Sequence, residues 1–568
     1  MKPWRNTLKT AGRSLLWAAA VLLAAGTLLL LSAFTSVSEE GCVQGKSCRW
    51  FLDGAWREDW DGLFTWRHDI KCLAQGENAL VFTDFGAGFQ LTLPRESQLD
   101  LTLARASVEI ETEDYVLSVS RERSTERDLD FYLDYYQNRF YESDYFRGSN
   151  GLTLLEDSRE TTAGMETRIL TLAFAEDAAM PHRVYTFAYQ KQGIYFMRYL
   201  FRGSRFDPAY QNQYRTVLNS YRTVLPWGRS GLYLQAQPKA DPYWDADTAA
   251  LYRRYCQSSG TDWGIFVADV WNRGLRETIP ALEDKIGLPF DIVLMYQHLG
   301  EEIDRGGLEE AARRGKVVEF TLQVCANNNM ELYGYTPMFD LLQGKKDDQL
   351  RCLAAALKDF GRPVLFRLNN EMNSDWTSYS GIITLSDPEI YVGVWRYIHD
   401  FFRAEGVRNL IWVFNPNDNS YPPCNWNHFL RYFPGEDYVQ MIGITGYNTG
   451  DYYADYTGER WRSFPEIYGG IQSSYAPYFG SWPWIITEFG CSSHGGDKAA
   501  WIREMFASMA DFPNIKAAVW WSCCDYDARE GHEGEIARPY FLDETEQTLQ
   551  AFAQGRQEQS RRQRGTDG

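Results

Sequence analysis

Two glutamates each stand at the end of a run that otherwise has the make-up of a buried strand. The stretch "PVLFRLNNEMNSDW", Pro363 to Trp376, opens with Val364, Leu365, Phe366 and Leu368, carries Arg367 among them, and ends on Asn369, Asn370 and Glu371. The stretch "WIITEFG", Trp484 to Gly490, ends in the same way on Glu488. Two carboxyl groups brought to one place can divide the cleavage of a glycosidic bond. One protonates the leaving oxygen while the other attacks the sugar or activates water. An Asn-Glu pair by itself is more often a turn or a helix start, so the weight lies on its pairing with Glu488. Arg367 is too close to the polar end to be a casual surface charge, and it is a candidate to hold the carboxylates in place.

The elements that must deliver these residues repeat. Eight short apolar runs follow one another: "GIFVADVW", "FDIVLMYQHL", "VVEFTLQV", "PVLFRLNNE", "NLIWVFNPN", "QMIGITGYN", "WIITEFG" and "AAVWWSCCDYD". Most are trailed by a helical segment, such as "DDQLRCLAAALKDF" or "PEIYVGVWRYIHDFFRAEG". Strand-helix alternation repeated eight times predicts an α/β fold, a closed (β/α)8 TIM barrel, over residues 245–553; a doubly wound open sheet would lack the eightfold count. In such a barrel the chemistry sits at the C-terminal ends of the strands. Those ends carry His298 on the second run, Asn370 and Glu371 on the fourth, Asn415, Asn417 and Asp418 on the fifth, Tyr447 and Asn448 on the sixth, Glu488 on the seventh, and Trp520 and Trp521 ahead of Asp525 on the eighth. His298 is a candidate to touch sugar hydroxyls, with a structural role at least as common for such a residue. Trp520 and Trp521 either form a sugar platform or pack the barrel top. Tyr452, Tyr453, Tyr456 and Trp461 have the make-up of a stacking loop, which aromatic packing explains almost as well.

"LFRLNNEMNSDW", "YVQMIGITGYN" and "WIITEFG" resemble glycoside hydrolase family 26, largely endo-β-mannanases, within a clan of (β/α)8 barrels with catalytic glutamates on strands four and seven. Carried over position by position, the resemblance implies that Glu371 is the acid/base and Glu488 the nucleophile. It also implies that Tyr447 orients Glu488 and that Trp376 is a platform for the sugar at the cleavage site. The mannanases of the family usually place His before the acid, where this chain has Asn370. Asn is usual across the wider clan, where it binds the sugar 2-hydroxyl, so the departure leaves the family standing and puts mannan itself in question. Mixed-linkage β-glucan and β-1,3-xylan are the next expected substrates.

Ahead of the barrel the chain reads in other registers. Residues 1–13 carry Lys2, Arg5, Lys9 and Arg13 and no acid, and residues 14–38 carry no charge. A bilayer needs about 20 apolar residues, more than the usual core of a cleaved signal peptide. A cytoplasmic basic segment, a transmembrane signal anchor and an extracytoplasmic remainder are therefore expected. Residues 39–225 alternate in strand fashion, with a hairpin around Gln192 and Gly193 and a helical recurrence of Leu129, Tyr132, Leu133, Tyr136 and Phe140, which predicts an α+β accessory domain. A Pro- and Gly-bearing linker over 226–244 should separate it from the barrel, and residues 554–568, with almost no apolar side chain, should be a disordered tail.

The formal net charge of −19 disfavours nucleic acid and anionic polymers as partners. Ten cysteines in a chain of 568 residues make no disulfide scaffold, although Cys42, Cys48 and Cys72 lie close enough in sequence to include one bridge. No CxxC pair or HxxxH supports a zinc site, and "DYDAREGHEGE" from Asp525 to Glu535 lacks the spacing of a calcium loop and reads as a solvated acidic face. The expectation is thus a membrane-anchored retaining endo-β-glycosidase on a neutral β-linked polysaccharide, with no cofactor. Its rival is a catalytically idle barrel that displays a glycan-binding surface, which has no need of either glutamate.

Overall fold

The computed structural model describes residues 48–58, 60, 65–122, 128–134, 151–174, 180–190, 193–202, 208–325 and 336–566. Within them the chain forms two compact units, one ending at Tyr233 and one running from Leu234 onward, with residues 130–134, 151–153 and 180 grouped with the second.

The first unit is built mainly of two sheets, one of six strands and one of seven. The predicted hairpin is present: His182–Gln190 and Gly193–Phe201 pair antiparallel from His182 opposite Phe201 to Gln190 opposite Gly193. A helix spans Pro208–Ser220, and the predicted helix around Leu129 is seen over Leu129–Tyr132, while Tyr136 and Phe140 lie outside the described residues. The apolar strand faces close on a core that includes Phe82, Phe89, Leu117, Met197 and Tyr214.

The second unit contains the closed barrel. Its strands are β1 (Asp262–Val267), β2 (Ile292–His298), β3 (Val317–Gln323), β4 (Val364–Leu368), β5 (Leu410–Phe414), β6 (Met441–Thr445), β7 (Trp484–Phe489) and β8 (Ile515–Ser522). Each of the eight apolar runs supplies one strand. All neighbours pair parallel, and β1 closes the ring on β8 from Asp262 opposite Ala517 to Val267 opposite Ser522. Strands buried on both faces need apolar residues at nearly every position, and β4, β5, β6 and β7 are buried throughout. Ile292, Leu294, Leu365, Ile411, Val413, Met441, Ile485, Ala517 and Val519 fill the barrel interior. The helices start and stop on standard signals. Asp387 caps the helix Pro388–Ala404 by accepting from Glu389 N, and Gly361 ends Asp347–Phe360 in the left-handed conformation.

Two details of the sheet place the site. Gly443 on β6 faces its neighbours so closely that a Cβ would meet Asn415 Cβ at 2.7 Å and Thr487 Cγ2 at 2.9 Å, so only glycine lets β5 and β7 approach here. On β7 the register slips: Ile486 pairs with Ala518 and Phe489 with Trp520, so three steps on β7 match two on β8. The extra residue is a bulge at Thr487 and Glu488, and it re-aims side chains that strict alternation would send to opposite faces.

The boundary between the two units falls within the 226–244 stretch, and hydrogen bonds hold the chain on each side of it to its own unit. Trp227 N and Arg229 N bond Phe85 O and His68 O, and Tyr233 Oη bonds Asp69, all within the first unit. Beyond Leu234 the chain belongs to the second unit, where Ala236 O accepts from Trp482 Nε1. The 554–568 stretch is not disordered over its described length, because a helix runs over Glu546–Thr566. Ala551 and Phe552 bury its start, and Arg556 Nη2 then donates to Pro289 O while Gln559 Oε1 accepts from Trp263 Nε1, which a reading of apolar content alone could not register. The anchor expected over 14–38, the basic segment before it and Cys42 all lie outside the described residues. Among the described residues no helix is long and apolar enough to cross a membrane.

Candidate active site

Arg367 is the centre of the constellation. It is fully buried on β4, with Nη1 2.6 Å from Glu488 Oε1 and 3.0 Å from Asn415 Oδ1, and Nε 2.7 Å from Thr321 Oγ1. Its guanidinium carbon lies 5.5 Å from the ring centroid of Tyr296. Burial works against its charge, but the Glu488 and Glu319 carboxylates more than offset that and hold its pKa above the usual range. An arginine is favoured here because its planar fork reaches several acceptors at once.

Glu488 is almost fully buried and is held from three sides. Besides Arg367, Tyr447 Oη donates to its Oε2 at 3.0 Å, and Asn370 Nδ2 stands 3.5 Å from its Oε1. Burial first, then the charge of Glu488, pushes the Tyr447 hydroxyl well above its ordinary pKa, so the phenol keeps the proton it donates. The β7 bulge allows this while Thr487 Oγ1, one residue earlier, bonds Thr445 Oγ1 at 3.1 Å.

Glu371 follows β4 in an unusual backbone. Asn369 and Glu371 have φ of 48° and 58°, in the left-handed region that side chains other than glycine's seldom adopt. Such residues cost about 1–3 kcal/mol each and persist only where their surroundings fix them. Here Asn369 N bonds Leu322 O, Val324 N bonds Asn369 Oδ1, and Glu371 N bonds Asn415 O, at 2.8, 2.7 and 2.8 Å. The strand thus turns sharply at its last residue and presents Asn370 and Glu371 together at the mouth. Trp376 Nε1 donates to Glu371 Oε2 at 3.0 Å. Burial and the charge of Glu488 push the Glu371 carboxyl up to about 8, against the hydrogen bonds of Asn417 and Trp376 and the charge of Arg367. A carboxyl that keeps its proton thus stands near one that is ion-paired to arginine, the split that acid and nucleophile roles require.

Of the residues singled out from sequence, Glu371, Glu488, Asn370, Arg367, Tyr447 and Trp376 are brought together. His298 lies one step away: its Nε2 is 3.0 Å from Gln323 Oε1, and Gln323 Nε2 donates to Asn370 Oδ1 at 3.0 Å. With Tyr379 Oη also donating to Asn370 Oδ1, the Asn370 amide is oriented with its nitrogen toward Glu488. Trp520 is not a platform. It is fully buried on the outer face of β8, its Nε1 donates to Tyr540 O, and it packs on Phe489, Trp501 and Phe552. Trp521, the next residue, faces the other way, stacked on Phe266 and edge-on to Tyr447. The strand's twofold period sends only one of two adjacent indoles to the mouth.

The aromatic loop after β6 is largely structural. Tyr452 and Tyr453 donate to Asp527, while Tyr456 stays exposed. Asp527 is buried beneath the Arg529 guanidinium, which overturns its reading as part of a solvated face. Asp527, His532 and Glu535 bring one donor atom each within 4.8 Å of one another, but both Asp527 oxygens already bond Arg529 and the two tyrosines, which leaves them poorly suited to a cation. Sequence reasoning missed Tyr296, Glu319, Gln323 and Tyr540. The period-two alternation of β3, in which Glu319, Thr321 and Gln323 share one face, was the signal that could have found two of them.

The family model described as "Glycosyl hydrolase family 26" matches residues 339–472, a segment that holds Glu371, Trp376 and Tyr447 and stops before Glu488. The resemblance read from the motifs is therefore met by the family's own pattern. The chain is similar to Endoglucanase H of Acetivibrio thermocellus, 33% identical over 186 residues, 32% of this chain and 20% of that protein. It is similar also to a mannan endo-1,4-beta-mannosidase of Bacillus subtilis, 32% identical over 105 residues, 17% of this chain and 26% of that protein. The chain thus spans about a fifth to a quarter of the curated relatives it matches. Among solved structures it aligns with the catalytic domain of a Bacillus sp. JAMB-750 GH26 endo-beta-1,4-mannanase, at 16% identity and a TM-score of 0.41, over 57% of this chain and 93% of that one. It aligns too with the YdhT protein from Bacillus subtilis, at 19% identity and a TM-score of 0.37, over 50% and 88%.

Proposed function

We propose that the chain is a retaining, endo-acting β-glycoside hydrolase whose substrate is a neutral polysaccharide of β-linked mannose or glucose. The observation that carries this is the divided state of two carboxyls at one barrel mouth. Glu488 is ion-paired to Arg367, while Glu371 is pushed up to about 8 by burial and by Glu488. The resemblance to family 26 supports the same assignment, and the named activities of the similar proteins, on mannan and as an endoglucanase, set the substrate range.

In this reading Glu371 gives its proton to the leaving oxygen while Glu488 attacks the anomeric carbon and forms a glycosyl-enzyme. Burial still raises the Glu371 pKa in that intermediate, but the loss of charge at Glu488 removes the second cause, so Glu371, having given up its proton, serves as the base that draws a proton from water in the second step. Asn370, with its Nδ2 turned to the mouth, donates to the sugar 2-hydroxyl. Tyr447 keeps Glu488 in its attacking orientation. Trp376 and Trp521 supply apolar faces for pyranose rings. Residues 14–38 hold the enzyme at the membrane in this reading, and fractionation of the full chain tests that part separately.

The deciding experiment is product analysis of the purified protein on β-mannan, mixed-linkage β-glucan, β-1,4-xylan and β-1,3-xylan, with the anomer followed by proton NMR. Release of mixed oligosaccharides from mannan or glucan, first in the β configuration, is the expected result. Initial α products would mean inversion, and binding without release from any polymer would favour the glycan-binding scaffold.

A further inference from the structure

Strand β3 turns Val317, Glu319, Thr321 and Gln323 into the barrel. Thr321 accepts from Arg367, Gln323 donates to Asn370, and Val317 packs on the apolar interior. Glu319 is the exception in chemistry, an acid at the depth of Leu365, its partner on β4. It is fully buried, and neither carboxylate oxygen has a hydrogen-bond partner. Its oxygen lies 3.5 Å from Arg367 Nε. The same guanidinium is 2.6 Å from Glu488. Arg367 is therefore one cation set between two acids, with Glu488 above it at the mouth and Glu319 below it.

The two acids are not equivalent. Glu488 takes the closer contact and also the Tyr447 hydroxyl on β6. Glu319 has no such donor, and the other groups facing Arg367 are the neutral Thr321 and Asn415 side chains and the Tyr296 ring on β2. An ionised carboxylate taken out of water with no hydrogen bond is costly, and a shared guanidinium farther away repays that poorly. Resting on the reading of Glu488 as nucleophile, we propose that Glu319 is a positioning residue: it keeps its proton at working pH and so leaves the charge of Arg367 committed to Glu488.

Burial, with a smaller contribution from the charge of Glu488, pushes the Glu319 carboxyl up to about 8 against the pull of Arg367. Above that pH a second negative charge competes for the guanidinium, and the hold on Glu488 loosens. Glu371 loses its own proton over the same range. The alkaline side of the activity profile should then record two protons, one from the acid and one from the group beneath the arginine.

The test compares the pH dependence of kcat/KM for wild type and Glu319→Gln on the polymer identified by product analysis, with infrared difference spectra of the carboxylic-acid C=O band at pH 6. Two essential protons give a fall approaching about 100-fold per pH unit on the alkaline side in wild type, and one gives about tenfold in Glu319→Gln. The acid limb should stay in place, and the substitution should remove one carboxylic-acid band. Equal alkaline slopes, an acid limb moved to lower pH, or no lost band would each overturn the proposal. Should Glu319→Gln fail to fold, Glu319→Leu carries the same slope and band expectations, since an apolar side chain also lacks the ionisation. A wild type that cleaves no polymer overturns the reading of the site as a whole, whereas cleavage with an unchanged slope overturns only the role of Glu319.

Discussion

The indole Nε1 of Trp376 donates to Glu371 Oε2 at 3.0 Å while the same side chain remains 40% exposed. One residue thus joins two features of this barrel mouth: its edge sets the carboxyl, and its face is open to solvent, where the proposed function puts a sugar. Trp376→Phe separates them, because phenylalanine keeps an apolar face and lacks the donor. The hydrogen bond lowers the Glu371 pKa, so its loss should move the alkaline limb of kcat/KM to higher pH with little change in KM. Trp376→Ala removes both, and KM should rise as well. A KM effect with an unmoved limb in both variants would show that the indole serves only as a platform.

The division of labour between the two glutamates is tested by chemical rescue. Glu371→Ala lacks the proton donor but keeps the nucleophile, so an aryl glycoside with an activated leaving group should still glycosylate Glu488 and then stall. Azide, which needs no base, should restore turnover and yield a β-glycosyl azide. Glu488→Ala should lose retaining hydrolysis and give the α-azide instead. On polysaccharide either change should cost at least on the order of 10²-fold in kcat/KM, the low end of what positioned acid-base groups contribute. The opposite pattern of azide anomers would exchange the roles of Glu371 and Glu488.

Stability should carry the same signature as activity. The Glu371 pKa rises from an ordinary 4.5 to about 8 on folding, so the native state holds a proton that the unfolded chain has released above pH 4.5. That contribution is fully present below about pH 4.5 and is lost as pH rises through about 8. Glu371→Gln cannot ionise and escapes the loss. Its melting temperature should match or trail wild type at pH 4.5 and exceed it at pH 9. Each 1 kcal/mol of relief moves the midpoint by roughly 2–4 °C in a domain of 150–250 residues, so the larger barrel unit should shift somewhat less. A gap between the two melting curves that does not change with pH would place the raised pKa in doubt.

Much of this barrel was legible because it rests on composition. Eight apolar runs predicted eight strands, and the polar residues at their ends marked the mouth, since buried parallel strands leave little else for a Glu or Asn to do there. What escaped depends on relations between strands. The bulge that admits both Thr487 and Glu488 to the interior adds a residue without changing the apolar count of "WIITEFG". The left-handed turn at Asn369 and Glu371 is fixed by carbonyls of β3 and β5, which no local pattern on β4 reports. Glu319 was passed over because a single acid in "VVEFTLQV" is lost among apolar neighbours until the facing arginine is known. The part of the Glu546–Thr566 helix from residue 554 onward was read as disordered because docking onto Pro289 and Trp263 is invisible in a polar stretch.

The adjacent tryptophans of β8 give the sharpest contrast between composition and geometry. In sequence Trp520 and Trp521 are interchangeable, and in the fold they face opposite sides of one strand. Trp520 has no exposed surface and lies among Phe489, Trp501 and Phe552, so Trp520→Ala opens a cavity in the layer outside the barrel. Trp-to-Ala changes in cores cost about 3–5 kcal/mol. Folding should therefore suffer, while KM for polymer at a temperature where the variant remains folded should hardly move. Trp521 stands partly exposed between Phe266 and Tyr447, and Tyr447 in turn holds Glu488. Trp521→Ala should cost less stability, raise KM through loss of a stacking face worth about 0.5–1.5 kcal/mol beyond its area, and lower kcat where the support of Tyr447 slackens. Trp521→Phe, which keeps a ring against Phe266 and Tyr447, should recover most of kcat. Thermal melts with steady-state kinetics on the same preparations check the pair. A KM effect in Trp520→Ala equal to that in Trp521→Ala would mean that the outer indole acts on the mouth after all.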